Sequence, residues 1–177
     1  MSRWQRVSGS EEQASRHSLG STTAKAVDSR SPRAMLPGME TVWGTTVAID
    51  GRAVLLRGPS GAGKSDVALR LIDGGAVLVS DDRTELVREG DRLVARAPEA
   101  LRNRMEVRGV GIVTIPAVVR APLVLAVDLV PPEQVPRLPD PGRWTHAGVS
   151  LPLIMLAAFE ASTPAKVRLA VRMVTGE

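Results

Sequence analysis

Gly58-Pro59-Ser60-Gly61-Ala62-Gly63-Lys64-Ser65 satisfies the pattern G-x-x-x-x-G-K-[ST] in full. No other segment of the 177-residue chain restricts its fold as much. The pattern works only when a strand enters it and a helix leaves it. Both are legible: Ala53–Leu56 is apolar and β-rich, and Ser65–Asp73 has Val67, Ala68, Leu71 and Ile72 at helical spacing. In that context the glycines let successive backbone N–H groups converge on an anion. The helix N-terminus adds partial positive charge. Lys64 reaches β- and γ-phosphates, and the Ser65 hydroxyl suits Mg²⁺, a hard ion that prefers oxygen. The segment reads as a P-loop for a nucleoside triphosphate and Mg²⁺, and the complete pattern in its proper context argues against a chance glycine-rich turn.

The rest of the chain alternates α and β, which predicts an α/β fold with a mixed sheet and flanking helices. Asp50-Gly51, between Thr41–Ile49 and Ala53–Leu56, is a two-residue hairpin signal. Gly74-Gly75 ends the helix after the loop. Ala76–Val79 reads as a short buried strand. Thr84–Val87 and Arg92–Arg96 form a second hairpin around Glu89-Gly90-Asp91, and Pro98–Arg104 allows one or two helical turns. Val107–Ile115 is β-rich but broken by Gly109 and Gly111. Leu123–Leu129 is an apolar run but for Asp128, as in a central strand. Pro131–Gly148 contains five prolines and reads as an extended loop. Leu151–Leu156 predicts a last strand, and Pro164–Val174 a last helix with Pro in its first turn.

Composition narrows the possible functions. With no Cys, thiolate zinc sites, disulfides and cysteine nucleophiles are excluded. One Phe, three Trp and no Tyr make a stacking platform for single-stranded nucleic acid an unsuitable reading. The net charge of +4 does not mark a nucleic-acid surface either. Residues 1–38 hold Arg3, Arg6, Arg16, Lys25, Arg30 and Arg33 against Glu11, Glu12 and Asp28, and leave 17 basic and 16 acidic residues for the remainder. That first segment, rich in Ser and Arg without apolar periodicity, is expected to be a disordered tail. A start at Met35 or Met39 is an equal reading. Residues 39–177 are expected to form one P-loop domain. No apolar run has the length of a bilayer span or a secretory signal core, so a cytoplasmic protein without membrane contact is expected.

Further chemistry-bearing residues follow the loop. Asp81-Asp82 ends the strand Ala76–Val79, where ligands bind open α/β sheets. Of two adjacent carboxylates, one can take a proton from an attacking hydroxyl while its neighbour orients it or holds metal; a solvated turn is the plainer alternative. Glu106 could give Mg²⁺ an oxygen, and Arg108 could contact phosphate, or the two could form a surface ion pair. His146, in the proline-rich segment, reads as solvent-exposed. Asp128 is open between a strand-end ligand and a cap. Lys166 and Arg168 could be ordinary surface charges.

Together these residues resemble the catalytic domain of bacterial HPr kinase/phosphorylase, in its short proteobacterial form. The likeness runs over about residues 39–172. It rests on Gly58–Asp66, on Gly75-Ala76-Val77-Leu78-Val79-Ser80-Asp81-Asp82, on Met105-Glu106-Val107-Arg108-Gly109-Val110-Gly111-Ile112, and on Phe159–Ala170. The third segment is similar to the family signature L-E-I-R-G-L-G-I. The resemblance implies a P-loop fold related to phosphoenolpyruvate carboxykinase, usually assembled as a hexamer. It implies phosphate transfer from ATP to a serine of HPr, the small phosphocarrier of the sugar phosphotransferase system, and its removal by phosphorolysis. Asp82 would be the base, Asp81 its support, Lys64 a phosphate ligand, and Ser65 and Glu106 the Mg²⁺ ligands. Lys166 is the nearest candidate for the family's catalytic Arg.

One position departs from that pattern. The family carries a His before the strand entering the loop, and this chain has Trp43-Gly44 there. Indole has an N–H donor and no acceptor, so it cannot take a proton as imidazole does. Weakened activity, above all in the reverse direction, is therefore expected. The competing reading is an ATP-binding regulator with little catalysis that signals through a partner. A small-molecule kinase is a third, with no substrate-binding segment in its favour.

Overall fold

In the central strand Arg52–Arg57, alternate residues point to opposite faces of a sheet. Val54 and Leu56 enter one core and Ala53 and Leu55 the other, all four wholly buried. A strand apolar on both faces belongs inside a covered sheet. The computed structural model describes residues 39–176, so the expectations for residues 1–38, tail and alternative starts alike, fall outside the described residues.

The elements in chain order are β1 (Met39–Trp43), β2 (Thr45–Ile49), β3 (Arg52–Arg57), α1 (Lys64–Asp73), β4 (Val77–Ser80), β5 (Arg83–Glu89) and β6 (Arg92–Arg96). There follow β7 (Arg104–Val107), β8 (Gly111–Thr114), β9 (Arg120–Leu129), β10 (Gly142–His146), β11 (Val149–Leu156) and α2 (Thr163–Thr175). Nine strands form one mixed sheet in the order β1-β5-β6-β9-β3-β2-β4, with β11 also on β9 and β10 on β11. Strands β7 and β8 form a separate hairpin. Both β3 and β11 run parallel to β9. Since β2 is antiparallel to both β3 and β4, β4 points the same way as β3. The C-terminal ends of β11, β9, β3 and β4 thus share one edge, where open sheets of this kind bind ligands.

One face of the sheet is covered by Val67, Ala68 and Leu71 of α1 and by Val167 and Val171 of α2, packed on Val54, Leu56, Leu125 and Val127. The other face buries Leu86, Leu93, Leu123, Val149 and Leu151 with Ala53 and Leu55. Truncating Leu125, wholly buried in the middle of β9, leaves a cavity that rigid neighbours fill only in part. Leu125→Ala is expected to cost about 2–5 kcal/mol, read as a lower midpoint in urea unfolding.

The Asp50-Gly51 hairpin forms as expected, with both residues at positive φ (48° and 77°). Thr41–Ile49 is two strands and not one. Gly44 separates β1, which pairs with β5, from β2, which pairs with β3 and β4. A side chain at Gly44 would meet Leu56 O at 2.8 Å and Leu55 Cδ1 at 2.7 Å. The Val107–Ile115 stretch is broken at its glycines, as the sequence predicts: Gly109 (φ 84°) lies in the turn between β7 and β8, and Gly111 (φ 116°) opens β8. The proline-rich 131–148 segment is not wholly extended loop. It holds a short 3₁₀ turn, Pro132–Gln134, and the whole of β10. Pro98–Arg104 yields one 3₁₀ turn, Glu99–Leu101.

Candidate active site

The 58–65 loop links β3 to α1, as the sequence predicts. Gly58, Gly61 and Gly63 all have positive φ (145°, 82° and 89°), which favours glycine. Gly63 is the N-cap of α1, so the first amides of the helix, which have no intrahelical acceptor, open into the loop. Added bulk at Gly63 would also collide with Ala158 Cβ at 2.6 Å. Lys64 Nζ donates to Gly58 O at 2.9 Å and to Pro59 O at 2.8 Å, bridging the mouth of the loop. Along this edge lies a cavity of about 880 Å³, lined by the loop and by Asp81, Asp82, Glu106, Arg108 and Trp43 among others. A smaller depression of about 410 Å³, at Glu89, Arg92 and Arg120, lies apart from these residues.

Asp81 is the hub of the site. Its carboxylate is buried, 6% exposed. Oδ1 accepts from Thr45 Oγ1 and from Ser65 Oγ, each at 2.9 Å. Oδ2 accepts the backbone N–H of Glu106 at 3.1 Å. One side chain therefore ties together β2, the start of α1, the end of β4 and β7. Thr45 was not legible as a site residue: a Thr at a strand start has no motif to mark it.

Asp82, next in the chain, has the opposite environment. It is exposed and lines the cavity. Its φ of 62° is left-handed, a region that Asp tolerates better than most residues. The turn is held by Gly44 N–H donating to Asp82 O at 2.9 Å and by Arg83 N–H donating to Asp81 O at 2.7 Å. Trp43 stands at this end of the cavity, 65% exposed, with the Arg83 guanidinium stacked 4.3 Å above its ring.

The loop, Asp81, Asp82 and Glu106 are therefore brought together; Lys166 is not. It lies on α2, ion-paired with Glu160, and does not line the cavity. Arg168 donates to Leu71 O and Gly74 O and ties α2 to the end of α1. Asp128 pairs with Arg57 Nε at 3.2 Å. His146, expected in solvent, is only 13% exposed: it stacks on Trp144 at 5.1 Å, with Nε2 3.2 Å from Glu40 Oε2. The cause is β10, which turns a segment read as loop into a strand with His146 on its inner side.

The oxygen set beside the loop, Ser65 Oγ with Asp81 and Glu106, suits a hard divalent ion that keeps waters and phosphate oxygens in its shell. Among the described residues no group of three or more His, Cys, Asp or Glu forms an all-protein cage.

The family model described as HPr Serine kinase C-terminal domain matches residues 35–124. That span holds the glycine loop, the Asp81-Asp82 turn and the β7–β8 hairpin. The chain is 52% identical over 77 residues to HPr kinase/phosphorylase of Peptoclostridium acidaminophilum, covering 43% of this chain and 25% of that protein. It is 39% identical over 98 residues to that of Limosilactobacillus reuteri, covering 55% of this chain and 29% of the relative. The matched part is thus only about a quarter of the length of these curated relatives. Among solved structures, the Hpr(Ser) kinase/phosphatase from Coxiella burnetii superposes with a TM-score of 0.67 at 28% identity, over 76% of this chain and 89% of that one. This match extends the likeness beyond the family span, over the same mixed α/β sheet. By the match across more than half of its length, the chain belongs to the HPr serine kinase C-terminal domain family.

Proposed function

We propose that residues 39–177 are a P-loop catalytic domain, related in fold to phosphoenolpyruvate carboxykinase. It transfers the γ-phosphoryl group of ATP to a serine hydroxyl of HPr or a related small phosphocarrier. The observation that carries this reading is the Ser65 Oγ hydrogen bond to Asp81 Oδ1 at 2.9 Å. It locks the last residue of a phosphate-binding loop to the turn that presents a free carboxylate, Asp82. The printed names of the relatives support the choice of acceptor.

The chemistry follows from these environments. The loop amides and the α1 N-terminus bind the phosphates. Lys64 exchanges its bonds to Gly58 O and Pro59 O for phosphate oxygens. Ser65 and Glu106 would hold Mg²⁺, with Asp81 fixing Ser65. When bound, Mg²⁺ offsets the negative charge shared by the phosphate oxygens. Asp82 takes the proton of the attacking serine hydroxyl. The new Oγ–P bond forms as the bond between the γ-phosphorus and the bridging oxygen breaks, and that electron pair leaves on ADP. With phosphate as the attacking group, a phosphate oxygen bonds to the seryl phosphorus as the Oγ–P bond breaks; the phosphoryl group leaves as pyrophosphate and Asp82 returns the proton to the serine oxygen. The hexamer proposed with this activity rests on the family resemblance, and the cytoplasmic setting on the sequence reading above. Among the described residues, no helix is long and apolar enough to cross a membrane.

Trp43 favours a second reading, an ATP-binding regulator that transfers phosphate poorly. It stands beside Asp82 where an acid–base group would serve, and it cannot exchange a proton. One assay separates the two: labelled phosphate transfer from Mg-ATP to purified HPr, by wild type and Trp43→His. Transfer by wild type is expected. In Trp43→His a gain is expected, toward the roughly 10²-fold that one positioned acid–base group contributes, and larger in phosphorolysis. Tight Mg-ATP binding without transfer in wild type would select the regulator.

A further inference from the structure

Phe159 is the only Phe of the chain, and it is 75% exposed. Its backbone is nevertheless held on both sides. Arg70 on α1 donates to Ala158 O and, at 3.1 Å, to Glu160 O. Thr163 Oγ1 donates to Ala157 O at 2.6 Å, and Thr163 N–H to Glu160 O at 3.1 Å. An exposed aromatic ring on a fixed bend is free to stack on a planar ligand. The ring lies against the phosphate loop: a Cβ built on Gly63 would meet Phe159 Cζ at 3.1 Å. It also lines the phosphate cavity.

The sheet order gives this position a direction. Phe159 follows β11, and Asp81-Asp82 follows β4. The order β11-β9-β3-β2-β4 sets the loop after β3 midway between them. Four strand spacings of about 4.8 Å separate the two flanks by roughly 19 Å. Under the reading above, the γ-phosphate faces Asp82. The nucleoside must then leave on the other side of the loop, toward β11. Trp43, the other exposed aromatic of the cavity, is at the Asp82 end, and one face of its ring is already taken by Arg83.

We propose that Phe159 is the stacking surface for the base of the nucleotide. The inference rests on the triphosphate reading of the 58–65 loop and adds to it a base subsite, built by the segment after β11. The ring offers an apolar face and no hydrogen-bond code, so stacking on it tolerates any purine.

The test is calorimetric titration of the full chain with Mg-ATP and, separately, with magnesium tripolyphosphate, which has no base. Phe159→Ala is expected to weaken Mg-ATP binding about tenfold or more, within the range for removing an aromatic ring from under a base. Tripolyphosphate binding should be unchanged, and Phe159→Trp should restore ATP affinity. Equal weakening of both ligands would overturn the proposal, because the ring would then only buttress Gly63. Unchanged binding of both would overturn it as well. If wild type binds neither, the phosphate-site reading falls and takes the base subsite with it. If wild type binds both ligands and Mg-ATP binding is blind to Phe159, the base subsite alone is removed.

Discussion

Asp82→Asn is expected to lower phosphoryl transfer to HPr by about 10²–10⁴-fold, the contribution of a positioned general base, while Mg-ATP still binds as in wild type. The substitution is clean for structural reasons. The contact that holds the turn uses Asp82 O, a backbone atom, which accepts from Gly44 N–H. The side chain itself is exposed. Asn also tolerates the left-handed φ of 62° better than most residues. The fold should therefore survive, and only the proposed proton acceptor is lost. Labelled phosphate on HPr gives the rate, and calorimetry gives the nucleotide affinity. Full activity in Asp82→Asn would remove this residue as the base, whatever else the site does.

The neighbouring substitution should behave differently, because Asp81 is built into the fold. Asp81→Ala leaves Thr45 Oγ1, Ser65 Oγ and Glu106 N–H without their acceptor, in a position only 6% exposed. Each orphaned buried donor costs about 1–3 kcal/mol, less where water enters the gap. A loss of about 2–4 kcal/mol is expected, seen as a lower thermal midpoint. The Ser65 hydroxyl also loses its orientation, and removing such a supporting contact typically weakens metal binding about 10–100-fold. Asp81→Asn should fall between wild type and Asp81→Ala in stability, since it keeps an oxygen for the two hydroxyls. Wild-type stability in Asp81→Ala would mean that the four elements meeting at this carboxylate do not depend on it.

What the sequence made legible was local. The glycine loop, its helix and the Asp50-Gly51 hairpin are fixed by short-range backbone chemistry, so their residues announce them. The run Leu123–Leu129 marks β9 as central because no half-exposed strand is apolar on both faces. What stayed hidden depends on partners distant in sequence. In β10, Arg143-Trp144-Thr145-His146 offers one large apolar side chain, and its strand form comes from pairing with β11. The turn joining them uses Ala147 at φ 46°, a residue that gives no turn signal. Asp81 and Asp82 were found together, but their division into one buried hub and one exposed carboxylate needed Thr45 and Glu106, which lie 36 and 25 positions away. Lys166, the nearest candidate for the family's catalytic Arg, sits on a helix whose direction the sequence does not give.

The ammonium of Lys64, resting on two carbonyls of its own loop, makes that loop its own placeholder ligand. Under the phosphate-binding reading proposed above, an incoming phosphate would meet a ring already shaped and displace two carbonyl acceptors, and the same carbonyls would take the ammonium back when the phosphate leaves.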